Sequence, residues 1–266
     1  MNTNKNQPVV GLFITCLADL YRPEVGFATI KLLEQSGCRV EVPSQQTCCG
    51  QPAFNTGDYS TSADIARQTI AAFDGFEYVV APSGSCIGML HHYPELFEDN
   101  DPWKARAEDL KKRAFEITSF LVDVLKIDDF KVDATAPTFN GSVTYHDSCS
   151  GLRELGIKAQ PRQLLAQVDG VELKEMEESE TCCGFGGTFC VKYPDISNRM
   201  VGNKTQNIVD AGAKTLLGGD LGCLLNMAGK LQREGHAVEV RHVVEILAGM
   251  TDQPALGEAQ SSVKAG

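Results

Sequence analysis

The sequence predicts an α/β fold of two homologous domains, each a small, mainly parallel sheet flanked by helices, the second related to the first by internal duplication. Three observations lead there. The tripeptide Cys-Cys-Gly occurs twice, at Cys48-Cys49-Gly50 and Cys182-Cys183-Gly184, each time after a threonine and at an offset of 134 residues. Each pair has one cysteine upstream and one downstream at nearly matched distances: Cys16 lies 32 positions before Cys48 and Cys149 33 before Cys182, while Cys86 lies 37 after Cys49 and Cys223 40 after Cys183. Short apolar runs also alternate with helical periodicities in the same order in both halves, the pattern of β-α units that feed a parallel sheet. The 266 residues suffice for two domains of about 130 residues each.

In the first half, Val9–Thr15 is an unbroken apolar run and reads as a buried strand. Gly26–Gln35 has helical periodicity and ends at Gly37, and Cys38–Val42 is a second strand stopped by Pro43. Asp64–Phe73 is helical and Tyr78–Ala81 is a third strand. In the second half the matching slots are filled by Ser142–Tyr145, Pro161–Val168, Val171–Glu175, Arg199–Ala211, Lys214–Leu217 and Leu224–Glu234. Late in each half an apolar, helix-like segment recurs, Phe115–Leu121 against Val238–Val244. Ala134, Ala136, Pro137 and Asn140 interrupt the pattern, which places the junction near Val132–Asn140 and the domains at 1–137 and 138–266. The tail from Thr251 is polar and aperiodic and is expected to be disordered.

Composition narrows the function classes. A formal charge of −11 opposes binding to nucleic acid or an anionic membrane surface. The run Val9–Thr15 is far shorter than the ~20 residues of a spanning helix, so no membrane insertion is expected. With only Lys5 ahead of Leu12-Phe13-Ile14-Thr15-Cys16, a lipoprotein-type export signal is poor, and a cytoplasmic location follows. Ten cysteines are too few for a disulfide scaffold of this length, and their pattern in a reducing compartment points to metal or redox chemistry.

The eight repeated cysteines are the candidate ligands: Cys16, Cys48, Cys49 and Cys86 in one set, Cys149, Cys182, Cys183 and Cys223 in the other. In a parallel α/β unit the loops leaving the carboxyl ends of the strands converge on one edge, and these cysteines follow strand-like runs. Adjacent cysteines on a regular strand point to opposite faces, so joint ligation needs a sharp turn. Gly50 and Gly184 permit one, and Gly186 and Gly187 add backbone freedom at the second site. Four thiolates suit an iron–sulfur cluster, [4Fe-4S] being expected at one or two sites per chain. Zinc accepts four sulfurs as well, but its usual close Cys-x₂₋₄-Cys knuckles are missing from this sequence. Cys38 has no counterpart and reads as a core residue, and Cys190 reads as an unpaired neighbour of the second site. His91, His92, His146, His236 and His242 share no ligand spacing between the halves and read as solvated or core histidines. No Gly-x-Gly-x-x-Gly turn follows a strand, so neither NAD nor FAD is expected.

The segments Tyr145-His146-Asp147-Ser148-Cys149, Cys182–Phe189 and Gly222–Met227 resemble the cysteine-rich Cys-Cys-Gly domain family. That family includes the B subunit of heterodisulfide reductase and the iron–sulfur subunit of glycolate oxidase, and the resemblance covers nearly the whole chain. It implies an iron–sulfur electron-transfer subunit of a three-protein L-lactate (2-hydroxy acid) oxidising system, working with a ferredoxin-like iron–sulfur subunit and a third small subunit. The fullest family motif ends in Cys-x-x-Cys, whereas Ser83 and Asp220 stand where its first cysteine would be, leaving four thiols per half. Three readings stay open: this redox subunit, with a glycolate oxidase-type role as its variant; a heterodisulfide-reductase-like thiol/disulfide subunit; and a zinc-stabilised, non-enzymatic scaffold.

Overall fold

A computed structural model of the chain describes residues 7–127 and 139–258. It contains two four-stranded, all-parallel sheets of the same topology. The first has the order β2-β1-β3-β4, from Val9–Leu12 (β1), Arg39–Glu41 (β2), Tyr78–Ala81 (β3) and Ala114–Glu116 (β4). The second has the order β6-β5-β7-β8, from Gly141–His146 (β5), Val171–Leu173 (β6), Thr215–Gly218 (β7) and Glu239–His242 (β8). The two central strands of each sheet are almost wholly buried, as a sheet covered on both faces requires. The domain junction at 137/138 falls on residues 128–138, outside the described ones.

Two expectations are corrected. Phe115–Leu121 and Val238–Val244 are not helices throughout: each opens as the fourth strand of its sheet, β4 and β8, and turns helical only at Ile117 and Val243. The apolar run is short enough to serve either element, and pairing with β3 or β7 decides. The tail, expected to be disordered from Thr251, is ordered through Glu258: Ala255 and Leu256 are buried, and the Leu256 N–H donates to the Val240 carbonyl at 2.8 Å. Two apolar side chains and one ladder bond outweigh the polar composition of the segment; residues 259–266 lie outside the described ones.

Several helices start earlier than periodicity suggests, for local reasons. The helix Tyr59–Ala72 begins where the Asp58 carboxylate accepts from the Thr61 N–H at 3.0 Å. Pro194 opens Pro194–Asp210, and Asp101 caps Pro102–Arg113, a helix the repeat did not announce.

The halves share a core. Val10, Leu12, Val25 and Leu32 of the first half pack in one apolar cluster with Val143, Leu217, Val243 and Leu247 of the second. The helix Val243–Leu247 lies against Pro23–Gln35, where Arg22 donates through Nε to Glu245 at 3.0 Å and through Nη1 to the Pro254 carbonyl at 2.7 Å.

Candidate metal centre

In each sheet, successive connections leave the first strand and the third strand in opposite directions, so a crevice opens at the carboxyl ends of this central pair. Cys16 and Cys149 open the short helices Cys16–Tyr21 and Cys149–Arg153 that follow β1 and β5. Cys86 and Cys223 sit in the first turn of Gly84–His92 and Leu221–Arg233, which follow β3 and β7. The Cys-Cys-Gly loops bring the other two thiols, and Gly50 and Gly184 turn the chain at φ of 85° and 82°. A Cβ on Gly184 would lie 2.8 Å from the Ser197 carbonyl oxygen, so that turn excludes other residues on space as well as on φ.

All eight repeated cysteines come together as two sets of four, and none of the chain's cysteines is in a disulfide. Within the first set the Cys16 and Cys48 sulfurs lie 3.9 Å apart. S–H donation from Cys16 and Cys49 holds the Cys48 thiol down to about 2, while Cys16 and Cys49 are pushed up by the same contacts and by burial. The second set repeats this, with Cys182 held at about 2 by Cys149 and Cys183. The Gly184 and Phe185 N–H groups point at the sulfurs of Cys182 and Cys183 at 3.4 and 3.5 Å. The carbonyl of the second cysteine of each pair is anchored from the helix side, by Tyr93 Oη to Cys49 at 2.9 Å and by Asn226 Nδ2 to Cys183 at 3.0 Å. Thiols held this way, with N–H groups aimed at sulfur, fit a metal or iron–sulfur centre.

The two sets face one cleft of about 420 Å³, lined by Cys16, Cys48, Cys49 and Cys86 from one half and Cys149 and Cys223 from the other. Between them Asp220 of the second half accepts from Ser83 Oγ at 2.8 Å, Ser85 Oγ at 2.6 Å and the Ser85 N–H at 2.9 Å. Ser83 and Asp220, the two departures from the Cys-x-x-Cys pattern, are therefore partners across the halves. Ser83 Oγ also accepts from the Cys86 N–H at 3.2 Å. Cys38 is buried in the core, its thiol pushed up to about 11 by burial. Cys190 lies beside the second loop, its sulfur 3.4 Å from the Gly187 carbonyl oxygen.

His146 belongs at the second centre, not in the set of uninvolved histidines. It is 1% exposed, and one ring nitrogen lies within 4.8 Å of the Cys183 and Cys223 sulfurs. Among the described residues neither ring nitrogen has a hydrogen-bond partner; the nearby Ser179 carbonyl already accepts from the Asp147 N–H and Lys204. Its tetrapeptide with Cys149 was visible in the sequence, but a histidine at the end of one strand and a phenylalanine, Phe13, at the end of its repeat hid the role. Sequence reasoning also passed over Glu116, Arg162 and Lys204. Arg162 grips the buried Asp147 carboxylate with 2.8 and 2.9 Å bonds, which fixes the backbone just ahead of Cys149.

Comparison with known proteins agrees with this architecture. Residues 10–91 and 143–228 each match the family described as "Cysteine-rich domain" (CCG). Lactate utilization protein A of Oceanobacillus iheyensis is 48% identical over 90% of this chain and 96% of its own length, and that of Halalkalibacterium halodurans is 47% identical over the same shares. Among solved structures, a hypothetical protein from Helicobacter pylori superimposes with a TM-score of 0.64 at 13% identity, over 97% of this chain and 50% of that one, a likeness of fold. Among the described residues no helix is long and apolar enough to cross a membrane. Two copies of the domain, each with its four cysteines gathered at one sheet edge, make this chain a member of the CCG cysteine-rich domain family.

Proposed function

We propose that this chain is an iron–sulfur electron-transfer subunit of a cytoplasmic, multi-protein system that oxidises L-lactate. The observation that carries the reading is one cleft lined by all four cysteines of the first set and by Cys149 and Cys223 of the second, in a chain nearly half identical to proteins named for lactate utilization. An iron–sulfur centre supplies one-electron chemistry. The chain's own part is to ligate through the eight thiolates, to direct N–H groups at the sulfurs and to keep the two centres on a shared wall.

Lactate itself is a poor occupant of that cleft. The charged residues that line it are Glu154 and Asp220, carboxylates that repel the carboxylate of a 2-hydroxy acid. Oxidation of the substrate is accordingly assigned to partners, a ferredoxin-like iron–sulfur subunit and a third small subunit. The domains are assigned to 1–137 and 138–266.

The test has two stages. Anaerobically purified chain should carry iron and acid-labile sulfide, on the order of four of each per occupied site. Its visible absorbance should resist L-lactate when the chain is alone and bleach when the partners are present, with D-lactate and glycolate as controls. Bleaching of the isolated chain by any of the three acids defeats the electron-transfer role, and bleaching by glycolate alone moves the assignment to a glycolate oxidase-type subunit.

One observation favours a second reading. The 3.9 Å between the Cys16 and Cys48 sulfurs is close to the edge of a tetrahedron about a single ion with metal–sulfur bonds of about 2.3 Å. Zinc at full occupancy without sulfide would establish it.

A further inference from the structure

The two centres have matched ligands and unmatched surroundings. Counting from the shared cysteines, Phe13 occupies in the first half the place His146 holds in the second: each lies three residues before the first cysteine of its set, His146 as the last residue of its strand and Phe13 directly after Leu12, the last of its own. A second substitution of the same sense lies on the helix beneath each Cys-Cys-Gly turn. A Cβ at Gly50 would meet Ile65 and one at Gly184 would meet Met200, which aligns the helices and sets Thr69 against Lys204. Phe13 is fully buried in an apolar cluster with Cys49, Ile70 and Phe73, its ring edge-on to Phe73 at 5.5 Å. Lys204 is 1% exposed, its amine donating to the Glu178 and Ser179 carbonyls and close enough to Cys182 and Cys183 to act on them electrostatically.

An imidazole buried with both nitrogens unpartnered is costly to maintain. One nitrogen lies within 4.8 Å of the sulfurs of Cys183 and Cys223. The first half assembles the same four thiols with a phenylalanine in this place, so the ring is additional to the ligand set. An imidazole offers at least one N–H whether or not it carries a second proton. Hydrogen bonds to sulfur and nearby positive charge both stabilise the more negative, reduced state of a cluster, and an apolar wall does the opposite.

We propose that the two centres are electrochemically unequal: the His146 ring donates an N–H to sulfur of the second centre and Lys204 sets positive charge beside it, making the second-half centre the more easily reduced. One electron entering at the first centre then passes to the second, oxidising the first and reducing the second, with no proton or bond exchanged. The inference rests on the iron–sulfur reading of the site.

The experiment is a redox titration of the anaerobic full-length chain followed by electron paramagnetic resonance. The two signals are assigned with Cys49→Ser, which spares the second centre, and Cys183→Ser, which spares the first. The second centre should reduce first. His146→Phe, which installs the residue the repeat already accommodates, should lower the second centre's reduction equilibrium on the order of tenfold, about 59 mV for one electron, and leave the first unmoved. His146→Gln, which keeps an N–H donor, should recover part of the shift, and it carries the test if His146→Phe fails to retain iron. Equal potentials in the wild type, or a second centre indifferent to both substitutions, would overturn the inference, as would strong ¹⁵N-histidine coupling showing direct ligation to iron. A wild-type chain without iron and sulfide defeats the cluster reading instead, so the two failures are distinct.

Discussion

The first and second cysteine sets are built on the same topology, from the same kind of turn, yet stand in different media. The first backs onto Phe13, Ile70 and Phe73, a dry aromatic and aliphatic wall. The second backs onto His146 and Lys204, with Arg162 and Asp147 behind. Duplication has preserved what the ligands need, four thiols and a left-handed glycine, and has let the surroundings diverge. The lesson is that ligand identity and centre properties are separable: the first is set by spacing along the chain, the second by what the fold places around the sulfurs.

Serine substitution breaks the comparison most severely. A hydroxyl is a hard, poor replacement for a thiolate, so Cys49→Ser and Cys183→Ser should each abolish the centre of its own half and leave roughly half the iron, as checked by iron and sulfide analysis. Loss of all the iron from either variant would show that the sets load as one unit.

Next comes the seam between the halves. Arg22→Met leaves Glu245 buried without its cation and should destabilise the chain by about 3–5 kcal/mol in urea unfolding. Two transitions in place of one would show that this pair keeps the halves cooperative.

A pH test compares the residues that cap the last helix of each half, Glu116 and His242. Glu116 accepts from the Thr118 N–H at 2.8 Å through one oxygen, while the other has no partner among the described residues. Burial first, and then nearby Asp220, push its carboxyl up from 4.5 to about 7. The folded state therefore binds the proton more tightly than the unfolded chain, and stability from this group falls as pH rises from about 4.5 to about 7, by at most about 3 kcal/mol. Glu116→Gln should remove that falling contribution, so that the urea midpoint rises more steeply with pH over that window than in the wild type. His242, buried and pushed down from 6.5 to about 4, acts in the opposite sense: between those values the unfolded chain binds a proton that the folded chain does not, so its contribution to stability rises with pH.

Asp220→Ala removes the acceptor of three hydrogen bonds from Ser83 and Ser85 and should cost about 1–3 kcal/mol, with Ser83→Ala costing less. The Asp220 variant also leaves the Ser85 N–H without its acceptor, so a loss no larger than that of Ser83→Ala would show that this bridge contributes little to joining the halves. The smallest effect on the sites is expected from Cys38→Ser. Cys38 sits in the shared apolar core, so the iron content should equal that of the wild type in the same assay.

The cysteines, their grouping and the parallel sheets were legible in the chain because each depends on short-range rules. Two adjacent thiols followed by glycine demand a turn, and an unbroken apolar run such as Tyr78–Ala81 reads as a strand buried on both faces. The fourth strands were not legible: Ala114–Glu116 and Glu239–His242 are too short to distinguish strand from helix until β3 and β7 offer partners. The ordering of Thr251–Glu258 likewise depends on a pocket for Ala255 and Leu256 and a strand edge at Val240, none of them nearby in sequence.

The sequence by itself determined the two-fold repeat, the eight ligand candidates and the turns that present them, because the periodicity and the glycine requirement are written residue by residue. Tertiary structure alone decided that the two sets face one cleft, that Ser83 and Asp220 bond across the halves, and that His146 lies beside Cys183 and Cys223. Those pairings span up to 137 positions. No local propensity encodes them, since they arise only when two sheets bury a common core and bring their carboxyl edges together.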